Sequence, residues 1–98
     1  MHVRKEPLQF QWDSGNREKN WLKHRVTPGE CEEVFFDPHK RISRSALDTG
    51  RETRYALIGR TQAQRWLFVV FTLRGHMVRV ISARDLNRRE RGLHEETA

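Results

Sequence analysis

Apolar residues in this chain fall into blocks, and the spacing inside each block separates strands from helices. The densest block is Leu67 to Arg84. An unbroken run, Leu67-Phe68-Val69-Val70-Phe71, passes through Thr72 and Leu73 to Arg74-Gly75-His76, then returns through Met77-Val78-Arg79-Val80-Ile81 to Ser82-Ala83-Arg84. β-Branched and aromatic residues dominate both arms, and Gly75 supplies the positive φ of a tight turn, so the block predicts a β-hairpin. The first arm is apolar at both strand parities, which predicts a central strand covered on both faces. The second arm holds Arg79 on a rigid strand, where surface solvation alone would not place it. Strand alternation groups Arg79 with Met77 and Ile81, and Ser82 and Arg84 with Val78 and Val80. Unless a bulge intervenes, Arg79 and Arg84 point to opposite sides.

The remaining elements are shorter. Leu8-Gln9-Phe10-Gln11-Trp12 alternates as a half-buried edge strand does. Asp13 or Ser14 caps a helix over roughly 14 to 24. The apolar content of that helix is little more than Trp21 and Leu22, while Asn16, Asn20 and His24 recur at i, i+4 and i+8 on one polar stripe. The stripe is either a solvated face, with His24 against the C-terminal dipole, or a surface presenting Asn20, Lys23 and His24 to a ligand. Thr27-Pro28-Gly29-Glu30 has capping-box spacing and starts a second helix, with Cys31, Val34 and Phe35 facing the core before Asp37-Pro38 ends it. His39 to Ala46 is a polar strand with Lys40, Arg41 and Arg44, suited to a defended edge or a phosphate-facing rim. After the turn Leu47-Asp48-Thr49-Gly50 comes the strand Tyr55-Ala56-Leu57-Ile58-Gly59. Beyond the hairpin, Asp85 caps a short helix carrying Arg88, Arg89 and Arg91, with a frayed end at Glu95 to Ala98. Strand, two helices, four strands and a helix predict an α+β fold: a small antiparallel sheet with both N-terminal helices on one face and the other face free.

Composition narrows the function. Ninety-eight residues form one domain, residues 1–98, with a single core, and a third of them are charged. The net charge of +6 points to an anionic partner, nucleic acid ahead of an acidic protein. One cysteine, Cys31, excludes an internal disulfide and suits a reducing cytoplasm. The N-terminus lacks an apolar export segment, and no run reaches the roughly 18 residues of a membrane span, so a soluble chain without a membrane partner is expected. The histidines at 2, 24, 39, 76 and 94 have no ligand spacing, so no metal is expected.

Several segments together resemble one family. They are Phe10-Gln11-Trp12-Asp13, Asn20 with Lys23-His24, Val34-Phe35 before Asp37-Pro38, Arg54 before Ile58-Gly59, and Val70-Phe71-Thr72 through Val80-Ile81-Ser82-Ala83-Arg84 to Arg89-Glu90-Arg91. In this order they resemble the BrnT toxins. The resemblance implies the ribonuclease half of a bacterial type II toxin–antitoxin pair, with a fold similar to RelE toxins. It also implies translation inhibition and neutralisation by a BrnA-like antitoxin, through which alone operator DNA is reached. Two positions depart from the family. Arg25 stands where the family usually has glycine after Lys-His, and a left-handed helix end there would cost on the order of 1 kcal/mol. His94 stands where many members have tyrosine.

RNA cleavage without a metal or cofactor requires activation of the 2′-hydroxyl, stabilisation of the phosphorane and protonation of the leaving oxygen. Arginine suits the second task through its planar, permanently charged fork. Arg79 and Arg84 lead as phosphate stabilisers, with Arg60 and Arg65 behind them. Arg79 could equally hold a structural salt bridge to a helix glutamate. His24 is the acid or base by residue type, and Ser82 either hydrogen-bonds a phosphate or caps the final turn. Lys23 and the terminal Arg88, Arg89 and Arg91 suit an RNA backbone, or an acidic antitoxin surface for the arginines. The alternative is a non-catalytic basic module that binds nucleic acid or a partner.

Overall fold

The computed structural model describes residues 9–44 and 52–97, with side chains through Gly92 at the C-terminal end. Its elements are β1 (Gln9–Phe10), α1 (Ser14–His24), α2 (Pro28–Phe35), β2 (Arg41–Arg44), β3 (Arg54–Arg60), β4 (Trp66–Arg74), β5 (Met77–Asp85) and α3 (Arg88–Thr97). The expected order holds, and the five strands form one sheet in the order β1-β5-β4-β3-β2. The two middle pairings, β3 with β4 and β4 with β5, are antiparallel, as is β2 with β3. β1 alone runs parallel to β5, pairing Gln9 with Met77 and Phe10 with Val78. The predicted turn at Leu47 to Gly50 and the end of the predicted strand at Ser45-Ala46 lie outside the described residues.

The core lies between the sheet and the first two helices. Leu57, Leu67, Val69, Phe71, Val78, Val80 and Ala83 meet Val26, Cys31, Val34 and Phe35, all buried. Phe35 bridges the layers by edge contacts to Phe10 and Phe71, with ring centroids 5.2 and 4.9 Å apart. Cys31 is fully buried, and burial pushes its thiol up to about 12, so it is a packing residue. Close approach of α2 to β3 depends on Gly59, where a Cβ would come within 3.0 Å of Val34.

The helices follow their caps. Asp13 and Asn16 form a reciprocal capping box on α1, and Thr27 and Glu30 another on α2. α1 ends at Arg25, which takes the left-handed conformation at φ 55° and ψ 39° despite its side chain. The expected cap at Asp85 is replaced by Asn87: its Oδ1 accepts from the Glu90 N–H at 2.8 Å, and the Glu90 carboxylate accepts from the Asn87 N–H at 3.1 Å. α3 continues to Thr97, past the expected fraying point. Gly75 carries the hairpin turn at φ 61°.

The first two positions of the polar stripe on α1 are not a solvated face, although His24 at its end is exposed. Asn16 and Asn20 are buried, whereas Trp21 is 45% and Leu22 70% exposed. Asn16 Nδ2 donates to Val80 O at 3.1 Å, and Asn20 Oδ1 accepts from the Ala83 N–H at 2.9 Å. The amides thus satisfy the edge of β5 where β1 has ended, a role apolar side chains cannot fill.

Candidate active site

Pairing along β4 and β5 shifts by one residue. Val70 opposes Ser82, but Phe71 opposes Val80, leaving Ile81 as an extra residue. This bulge reverses the parity that simple alternation predicts. Val78, Val80 and Ala83 all face the core, so Arg79, Ser82 and Arg84 share the face opposite α1 and α2, where α3 reaches Arg84 and Trp66 through Glu90 and Arg91. Thr72, Val70 and Phe68 stand opposite them on β4, and Arg54, Ala56 and Ile58 continue those rows on β3. Phe68 and Val70 are only half-buried, so this face of β4 is less covered than its apolar run predicts.

Both leading arginines hold a carboxylate. Arg79 Nη1 lies 2.9 Å from Asp13 Oδ2, the α1 cap, and 3.4 Å from Gln11 Oε1. The expected ion pair therefore exists, with Asp13 in place of a helix glutamate. Asp13 sits below the usual carboxylate range because the Asn16 backbone N–H and then the Arg79 guanidinium donate to it. Arg84 meets Glu90 through two parallel bonds of 2.8 and 2.7 Å and lies over the Phe68 ring at 4.5 Å. The hydrogen bonds from Arg84 hold Glu90 low and Glu90 in turn raises Arg84. At the same end, Trp66 has Arg60 and Arg91 each 5.1 Å from its ring. Arg88 and Arg89 are exposed on α3.

Arg65, expected among the RNA contacts, is engaged within the fold. Nε and Nη2 bond both oxygens of Asp85 at 2.7 and 3.1 Å. Nη1 reaches Glu30 and Arg25 O, and Nη2 also reaches His24 O at 3.1 Å. All five N–H donors are thereby engaged, and Arg65 clasps the end of α1 to α2, β4 and β5. His24 and Lys23 are exposed in the last turn of α1, and His24 lies near enough to Asp85, the residue after Arg84, to act on its charge. The His94 side chain lies outside the described ones.

Sequence reasoning left two contributors to this face unassigned. Arg54 appeared only as part of a resemblance; its position at the head of a strand beside an apolar hairpin was the available signal. Phe68 was read as plain core. The arrangement offers several guanidinium groups, a hydroxyl and flat apolar surface on one side of a rigid sheet, which suits a phosphate-bearing chain with exposed bases.

A family model described as the ribonuclease toxin BrnT of type II toxin–antitoxin systems matches residues 12–90. The crystal structure of the Brucella abortus ribonuclease toxin BrnT superposes with a TM-score of 0.64 at 21% identity, covering 84% of this chain and 100% of that one. At that identity the likeness establishes the shared fold. No curated protein matches. No helix among the described residues is long and apolar enough to cross a membrane. With the match spanning four-fifths of its length, the chain belongs to the BrnT family of type II ribonuclease toxins.

Proposed function

We propose that the protein is a metal-independent endoribonuclease that cuts RNA on the face of its sheet opposite α1 and α2 and so halts translation in the bacterial cytoplasm. The observation that carries this reading is the bulge at Ile81, which gathers Arg79, Ser82 and Arg84 on one face. In the reaction, the 2′-hydroxyl gives up its proton to water as its oxygen attacks the adjacent phosphorus, the P–O5′ bond breaks to leave a 2′,3′-cyclic phosphate, and the departing 5′-oxygen takes a proton. Arg79 and Arg84 bind the non-bridging oxygens as charge accumulates on them, and Ser82 donates a hydrogen bond between the two. Each arginine exchanges its carboxylate for phosphate. Arg60, Arg88, Arg89 and Arg91 bind the flanking backbone, and Trp66 and Phe68 offer surfaces for bases. His24 and Lys23 act from the α1 end, with His24 as proton donor, while Arg65 keeps that end in place. A BrnA-like antitoxin covers the basic face and alone contacts operator DNA.

Controlled expression of the parent and of Arg84→Ala, with total RNA examined in parallel, tests the proposal. The parent arrests growth and fragments RNA; the variant, equally soluble, loses cleavage by two orders of magnitude or more while keeping most of its RNA binding. A purified parent that leaves RNA intact sinks the enzyme reading. Small, similar losses of affinity across many arginines would identify a non-catalytic binder instead.

A further inference from the structure

Arg54 begins β3 on the face opposite α1 and α2, and the cleavage reaction above makes no use of it. Its neighbour across the sheet is Thr72, and the next neighbour, on β5, is Arg79. The three form one row. With about 4.8 Å between adjacent strands, the two arginine Cα atoms stand about 10 Å apart. Thr72 between them is buried, and its hydroxyl already donates to Thr53 O at 2.8 Å. The next row is Ala56, Val70 and Ser82, and the one beyond it ends in Arg84. A floor of small or apolar side chains therefore separates Arg54, Arg79 and Arg84.

The three arginines differ in what they hold. Arg79 holds Asp13 and Arg84 holds Glu90. Arg54 Nε is shielded from solvent and has no hydrogen-bond partner, and among the described residues no carboxylate pairs with the guanidinium. A buried donor without an acceptor lowers stability, and a bound anion would supply the acceptor that the described residues do not. The acceptor must be anionic, because the donor belongs to a fixed cation beside a second one.

We infer that Arg54 is a phosphate-binding residue, holding one phosphodiester of a single-stranded RNA together with Arg79 across Thr72. This rests on the reading that RNA occupies the face opposite α1 and α2. Among the described residues Arg54 has no carboxylate to release, whereas Arg79 and Arg84 must first give up theirs. Phosphate captured at the Arg54 row places the next linkage along the strand toward Ser82 and Arg84.

The test compares the parent with Arg54→Met and Arg54→Lys, using a 2′-O-methyl oligoribonucleotide that cannot be cleaved. Methionine keeps much of the aliphatic bulk and removes the orphaned donor, so the urea midpoint without ligand stays equal to the parent's or rises. Oligonucleotide binding weakens about ten- to a hundredfold, the loss of a charged hydrogen-bonding group. The slope of log affinity against log salt becomes shallower by about 0.7, the share of one phosphate on a single strand. Lysine restores the slope but not the full affinity, because it keeps charge and loses the fork. Unchanged binding by Arg54→Met, or a lost fold in that variant, makes Arg54 structural and overturns the inference while leaving cleavage by the parent intact. A parent that neither binds the oligonucleotide nor cuts RNA overturns both readings together.

Discussion

Arg25 and Glu90 show how single side chains are placed against local rules. Arg25 keeps a left-handed backbone, with its N–H bonded to Trp21 O and its guanidinium 5.1 Å from the Trp21 ring. Arg25→Gly should therefore be more stable than Arg25→Ala by about 1 kcal/mol, since both lose the ring contact and only alanine keeps the strain. Urea midpoints compare them, and equal midpoints would mean the conformation carries no strain. Glu90 both caps α3 and occupies the Arg84 fork. Glutamine at that position keeps the capping oxygen and loses the charge that competes with phosphate. Binding of an uncleavable oligonucleotide by Glu90→Gln should tighten roughly two- to fivefold, the worth of a partly exposed ion pair. Helical content by circular dichroism should hold; weaker binding with intact helix would show that Glu90 helps the ligand rather than opposing it.

Among the elements, α1 and β5 depend on each other. The Asn20 side chain holds the Ala83 N–H just past the bulge, and Asn16 holds Val80 O just before it. Asn20→Ala should cost about 2–3 kcal/mol by leaving a buried N–H unsatisfied. It should also reduce cleavage beyond what the remaining folded fraction explains, because Ser82 and Arg84 take their direction from the bulge. Full specific activity per folded molecule would separate α1 from the site. These elements also mark how far sequence could be read. Caps and periodicity were enough for α1, α2 and the hairpin, because each depends on neighbours within one turn or one strand pair. The parallel docking of β1 and the bulge depend on contacts across the fold, the first pairing Gln9 with Met77 and the second held by side chains 63 and 64 positions away. Alternation therefore separated Arg79 from Arg84, although both had been named. The asparagine stripe misled for the same reason: amides that complete a strand edge have the composition of a solvated face.

At the scale of the whole molecule, the two layers are locked by Arg65 as well as by the core. Its guanidinium joins Asp85 at the end of β5, Glu30 in α2 and the last carbonyls of α1, far apart in sequence. Spacing could mark Arg65 only as one basic residue among many; its partners exist only once the sheet has formed. The clasp has a defined pH signature. Hydrogen bonds from Arg65 hold Asp85 below its ordinary value. For Glu30, burial pushes upward, but bonds from the Thr27 N–H and Arg65 outweigh it and the net shift is downward. A carboxylate with a depressed folded value adds stability above its unfolded value, near 4, and loses it as pH falls through the folded one. Arg65→Met should lower stability by about 1–3 kcal/mol at neutral pH, a range that allows for the partial exposure of the ion pairs. The gap between parent and variant urea midpoints should stay constant above about pH 5 and narrow below about pH 4, as protonation removes from the parent what the mutation has already removed from the variant. Asp13 and Glu90 also titrate low, but both remain paired in the variant, so their contribution cancels in the difference. A gap that persists undiminished near pH 2.5 would assign the stability to the two backbone carbonyls rather than to the carboxylates.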